Sequence, residues 1–247
     1  MKEFFITIDG EQTGISETAE LLAVLDVLNG EEDNEVLSQL GSSLRQIIRN
    51  GKELKSVIQV LSHENRLFLY QQLGENLAEI ISEARFLSEI LAAVPQKESD
   101  EALFGVLGRD GIHKLVKSAD DLAMVLEWVY DDCDDLFIEI AGIEFVKNKT
   151  KSGFELGQIL KCMSTNSQKK LLAQFSPPFI ESIIHTTRDL AYLLRAMPAD
   201  LSLSLLDDFT PDFISRLIDG EQSLQPWKNL LEEKEYEYLI QKIRVHA

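Results

Sequence analysis

Long apolar runs are missing from this 247-residue chain: none approaches the 18 residues that mark a membrane-spanning helix. Two cysteines exclude a disulfide framework, and six prolines and thirteen glycines exclude collagen-like and Pro-rich classes. Basic residues are scarce. The 24 Lys and Arg face 42 Asp and Glu, for a net charge of −18, so a phosphate backbone would be repelled over most of the surface. No nucleic-acid partner is expected, and a Pumilio-like RNA reader built from units of similar length is disfavoured on the same ground. The opening Met1-Lys2-Glu3-Phe4-Phe5 meets Asp9 and Glu11 too early for a secretory signal. A soluble, cytoplasmic protein of a reducing compartment is expected. The catalytic motifs are missing as well: no G-x-S-x-G elbow, Walker lysine loop, H-E-x-x-H helix or paired C-x-x-C occurs. No cofactor and no catalytic residue is predicted.

What the chain has is a repeat. Leu21-x-x-Val24-Leu25-x-x-Leu28 returns as Leu54-x-x-Val57-Ile58-x-x-Leu61 and Leu87-x-x-Ile90-Leu91-x-x-Val94. It continues as Leu122-x-x-Val125-Leu126-x-x-Val129, Leu156-x-x-Ile159-Leu160-x-x-Met163 and Leu190-x-x-Leu193-Leu194-x-x-Met197, with a worn copy from Leu224 to Leu231. The lead leucines are 33, 33, 35, 34, 34 and 34 residues apart. Positions i, i+3, i+4 and i+7 share one face of a helix, so each copy is an amphipathic helix with one buried stripe.

The start of that helix is encoded too. Asn50, Ser118, Ser152 and Thr186 stand in the same place in four copies, each followed three residues later by Glu or Asp. That is the capping-box form, in which the first side chain accepts an orphan N–H and the fourth reaches back. The second half of each unit is a further helical pair, split at Gly41 and Gly74 in the first two units. In two later units Ser176-Pro177 and Thr210-Pro211 take that place, an N-cap followed by Pro at the first helical position. Pro95 and Pro198 end the first helix at a common register.

A unit of this size cannot bury its stripe alone, whereas stacked neighbours can. The fold expected is all-α: an α-solenoid of six stacked units plus a degenerate C-terminal one, about 60 Å long for helices about 10 Å across. Residues 17–247 read as one repeat domain. Residues 1–16 are either the remnant of an earlier unit, since Ile8 to Gln12 reappears as Ile218 to Gln222, or a capping strand or coil.

Few residues suggest chemistry. Asp131-Asp132-Cys133-Asp134-Asp135 is the densest acidic cluster and could hold a divalent cation, but the EF-hand glycine position is Leu136 and the twelfth is Gly142. In the repeat frame it is a solvated turn capping the next helix, aligned with Ser62 to Asn65 and Ser164 to Ser167. Gly105-x-x-Gly108-x-x-Gly111 reads as a loosened inter-helix turn. Cys162 shares a column with Val27, Val60, Ala93, Trp128 and Ala196 and is expected to pack, and Trp128, Met163 and Met197 are expected in the core by register. Cys133, in an acidic turn, is expected to be unreactive.

A surface ridge remains, formed by the residues two and five places after each lead leucine. It runs from Ala23/Asp26, Ser56/Gln59 and Glu89/Ala92 to Met124/Glu127, Gln158/Lys161 and Tyr192/Arg195. Met124, Glu127, Gln158, Lys161, Tyr192 and Arg195 are the candidate partner contacts, because Met, aromatic and Arg side chains are enriched at protein interfaces.

The phrasing Leu54-Lys-Ser-Val57-Ile58-Gln-Val-Leu61, then Arg66-Leu67 and Leu73-Gly74-x-x-Leu77-x-x-Ile80-Ile81, resembles helical repeats in proteins of intracellular bacteria of the Legionella and Coxiella kind, over residues 17 to 231. Several such proteins are type IV-secreted effectors. The resemblance implies a bacterial effector translocated into a host cell, and the Glu232 to Glu237 segment is similar to the glutamate-rich export tail of such proteins. The leading expectation is thus a non-enzymatic module that binds another protein. The alternative is an enzyme or enzyme regulator with a composite acidic site around Asp131 to Asp135.

Overall fold

A computed structural model describes residues 2–28, 30–130, 133–229 and 231–246 of the chain. The protein is all-α apart from one short hairpin, with helix making up 75% of it. Strand β1 (Phe4–Ile8) pairs antiparallel with β2 (Glu11–Ile15), Phe4 opposite Ile15 and Ile8 opposite Glu11. Asp9 and Gly10 link them with φ of 51° and 82°, as a two-residue type I′ turn requires. The Gln39 side chain bonds both the N–H and the carbonyl of Thr7, tying the hairpin to the second helix of the first repeat. Residues 4–15 are therefore a β-hairpin.

The chain divides into two compact units, Met1–Lys117 with Glu127–Gly142 and Ser118–Leu126 with Ile143–Ala247. In the first unit, α1 (Thr18–Leu25), α4 (Gly51–Val60) and α7 (Ala84–Ala93) carry the lead leucines, and α4 packs against both α1 and α7. Beside them α2 (Gly30–Leu40), α5 (His63–Leu73), α8 (Lys97–Leu115) and α10 (Asp134–Ala141) pack in the same succession. Short helices α3 (Leu44–Ile47) and α6 (Leu77–Ile81) complete the first two repeats. In the second unit α9 (Ala119–Leu126), α12 (Gly153–Lys161) and α15 (Thr187–Arg195) carry the lead leucines, with α12 packed against both neighbours. The remaining helices of that unit are α11 (Ile143–Lys149), α13 (Thr165–Gln174), α14 (Pro177–Ile183), α16 (Ala199–Asp208), α17 (Pro211–Leu217), α18 (Glu221–Leu224) and α19 (Glu233–His246).

The lead leucines explain why these helices associate. Leu21, Leu54, Leu87, Leu122, Leu156, Leu190 and Leu224 are all at most 1% exposed. Each such burial contributes about 1.5–3 kcal/mol before the cost of ordering the chain. The expected caps form: the side chains of Asn50, Ser118, Ser152 and Thr186 accept the N–H of Glu53, Asp121, Glu155 and Asp189. Ser118 and Thr186 complete the reciprocal box, their own N–H groups bonding Asp121 and Asp189.

The split of the second helix has one device in the first unit and another in the second. Gly41, Gly74, Gly108 and Gly142 all take positive φ, from 44° to 86°. Gly108, at φ 55° and ψ −172°, breaks the run of α8 in two, while Gly105 and Gly111 lie in the helical segments on either side, so the inter-helix turn expected over the motif is confined to Gly108. Ser176-Pro177 and Thr210-Pro211 continue the register and open α14 and α17. The worn seventh copy keeps Leu224 and Leu231 buried, but Pro226 holds its middle in a 3₁₀ turn.

The terminal helix α19 docks on α16 and α17. Leu239 is fully buried, and Glu235 is 1% exposed, accepting hydrogen bonds from Ser202 Oγ and the Glu232 N–H. Tyr238 donates to Asp207, and Lys242 reaches the Leu206 carbonyl at 2.9 Å. One carboxylate of the glutamate-rich segment is thus structural, while Glu232, Glu233, Lys234 and Glu237 face solvent.

Candidate interaction surface

The two helices of the second unit that carry Gln158 and Tyr192 pack closely because α12 has no side chain at Gly157, whose Cβ would lie 3.0 Å from the Tyr192 carbonyl oxygen. That approach brings Phe154 and Tyr192 edge to face, with ring centroids 5.1 Å apart and planes at 88°. The Arg188 guanidinium lies 5.3 Å from the Tyr192 ring centroid. Met124, on the neighbouring α9, is 37% exposed, and Lys161 and Arg195 face solvent. Gln158 and Tyr192 are half-buried rather than free: the close α12–α15 contact covers them, and Gln158 Oε1 is buried with no hydrogen-bond partner among the described residues. Phe154 (41% exposed) and Arg188 belong to this cluster although they stand outside the two ridge positions of their repeats.

In the first unit Ala23, Asp26, Ser56, Gln59 and Glu127 face solvent. Glu89 is half-buried between Lys55 (3.4 Å) and Arg85 (3.2 Å), and these two cations hold its carboxyl below the usual range against the opposing effect of desolvation.

Trp128 overturns an expectation. Its register suggested a core position, yet it is 49% exposed. The whole column behaves this way: Val27 is 79% and Val60 42% exposed, and Ala93, Cys162 and Ala196 are half-buried. The reason is helical geometry. At about 100° per residue, position i+6 falls about 60° outside the stripe bounded by i+3. Met163 and Met197, at i+7, are buried as expected. Beside Trp128, Tyr130 is 44% exposed. A cavity of about 340 Å³ opens between Lys55, Gln59, Ser88, Glu89, Ala92, Ala93 and Trp128.

The acidic cluster divides. Asp131 and Asp132 lie outside the described residues, whereas Cys133 and Asp134 are buried and Asp135 is half-buried. The Cys133 thiol donates to the Lys97 carbonyl at 3.6 Å, so packing shields it from solvent. Among the described residues no group of three His, Cys, Asp or Glu side chains is placed to hold a metal.

A column of buried polar side chains was not legible in the repeat. Asp33, Asn65, Asp100, Gln168 and Ser202 are each 5% exposed or less and belong to the second helices. Each is hydrogen-bonded to a neighbouring repeat. Asn65 Nδ2 donates to Asp33 Oδ2 at 3.0 Å, the Tyr130 N–H donates to Asp100 at 2.8 Å, and Gln168 Nε2 donates to the Ala196 carbonyl at 3.3 Å. Desolvation pushes the Asp100 carboxyl up to about 7, with the Tyr130 N–H pulling the other way. Burial raises Asp33 as well, and pushes the Tyr70 phenol up to about 12.

Charge is unevenly distributed. The first unit holds 26 of the 42 acidic and 11 of the 24 basic residues, a net charge of −15 against −3 for the second. No protein-family model, curated protein or solved structure matches this chain. No helix among the described residues is long and apolar enough to cross a membrane.

Proposed function

We propose that the protein is a non-enzymatic interaction module, an α-solenoid of six units and a degenerate seventh, whose helical surface binds another protein. The observation that carries this reading is the exposure of Trp128, Tyr130, Val27, Val60, Phe154 and Met124 beside lead leucines that are completely covered. The fold already buries its stripe, so these side chains are surplus to folding, and large exposed apolar side chains grouped on helix faces mark interaction sites. The Phe154–Tyr192–Arg188 cluster has the aromatic and Arg composition of interface centres. In the effector reading that the repeat resemblance implies, the bound protein belongs to a host cell.

The test is affinity capture with mass spectrometry, wild type beside a Met124→Ser, Tyr192→Ser, Arg195→Glu variant confirmed to fold. A partner held by wild type and lost by the variant is the expected result. A partner held equally by both removes these residues from the site, and no partner at all removes the reading.

A further inference from the structure

In the first unit the exposed Val27, Val60 and Trp128 and the half-buried Ala93 form a spaced line. Val27, Val60 and Ala93 stand at the same position, at or just beyond the ends of α1, α4 and α7, which pack in succession. Trp128 stands next, beside Ala92 and Ala93 across the cavity of about 340 Å³. Packed helices lie about 8–10 Å apart, so the line offers one apolar point roughly every 10 Å. Seven residues of an α-helix advance about 10.5 Å and return nearly to the same face. Three residues of a strand advance a similar distance but land on the opposite face, so an extended chain would meet the line with alternate side chains turned away.

Charge fixes the rest. This unit carries a net −15. Lys55 and Arg85 are both engaged by Glu89, and Arg66 by the Ile58 carbonyl and Gln96, whereas Asp26 and Glu127, next in sequence to Val27 and Trp128, have no ion-pair partner among the described residues. A ligand approaching here meets an apolar track between uncompensated carboxylates.

We propose that the Val27–Val60–Ala93–Trp128 line receives an amphipathic helix of another protein, with apolar residues seven apart and Lys or Arg on its flanks. The cavity beside Trp128 takes one apolar side chain, and Asp26 and Glu127 face the flanking cations. This deepens the protein-binding reading and rests on it.

The probe is a synthetic peptide of about three heptads with Leu at every seventh position and Lys on the flanks. A second peptide keeps its composition but shifts the leucines off that spacing, and a third carries Glu in place of Lys. Binding is titrated to the full chain carrying Trp227→Phe, so that Trp128 alone reports. The spaced basic peptide is expected to bind with a blue shift of Trp128 emission, the shifted-leucine peptide at least about tenfold more weakly, and the Glu peptide not at all. A Val60→Ser, Trp128→Ser variant, read by labelled-peptide anisotropy, is expected to lose at least about tenfold in affinity with its circular dichroism and Tm unchanged. Equal binding of the two basic peptides, or unchanged binding by the variant, reduces the effect to charge attraction and overturns the proposal. If no peptide binds but a captured protein still depends on Val60 and Trp128, the module stands and the basic helix is wrong.

Discussion

Asp100 and Tyr130, 30 residues apart, are joined by a 2.8 Å hydrogen bond in which the Tyr130 N–H donates to a carboxyl that is 1% exposed. That carboxyl titrates near 7 because its charged form is desolvated. The sign follows. A carboxyl whose folded value is raised favours the folded state when protonated, so its contribution is fully present below about 4 and is lost as pH rises toward 7. Asp100→Asn keeps an acceptor for Tyr130 without the charge. It is expected to be more stable than wild type by about 2–4 kcal/mol above pH 7, with the gap closing toward pH 4. Urea unfolding at three pH values reads this, and a gap independent of pH would refute it.

Two glycines three residues apart should respond with opposite signs. Gly105 has ordinary φ within α8 and open space around its Cβ position, so Gly105→Ala should stabilise by about 0.4–1 kcal/mol. Gly108 has the same space but φ 55° and ψ −172°, a region that only glycine occupies cheaply, so Gly108→Ala should cost about 1–3 kcal/mol. Denaturant midpoints of the two variants compare them directly.

Thr186 and Asp189 form a complete capping box at the start of α15. Thr186→Ala should cost about 1 kcal/mol. Native-state hydrogen exchange should show the loss first at the amides of Thr187 to Asp189.

Ser202 Oγ donates to the buried Glu235 carboxylate. Ser202→Ala leaves that group with one donor fewer, at a cost of about 1–3 kcal/mol. The effect should appear as faster exchange in α19 while the amides of α4 and α7 are unaffected.

The helical repeat was legible because its period, caps and prolines are all local signals that agree: Leu54, Asn50 and Ser176 each announce their position. The hairpin was legible in principle, since Asp9-Gly10 between two short β-prone runs is a turn signal, but its strands alternate too weakly to set a register. Trp128 was misplaced because alignment by column ignores helical angle. The polar column of Asp33, Asp100, Gln168 and Ser202 was hidden for another reason. Its members share a position but vary among Asp, Asn, Gln and Ser, and only the packing of successive helices shows that they are covered. Phe154 and Arg188 likewise became part of a surface cluster only through the close approach that Gly157 permits.

Under the proposed function, exposed apolar side chains such as Val60 and Trp128 serve binding and not folding. The most direct measurement pairs two readouts on a Val60→Ser, Trp128→Ser variant: equilibrium unfolding, and capture of the protein partner that wild type holds. An unfolding free energy within about 0.5 kcal/mol of wild type, as for surface substitutions, is expected together with loss of the partner. A variant that is strongly destabilised, or that retains the partner undiminished, would contradict it.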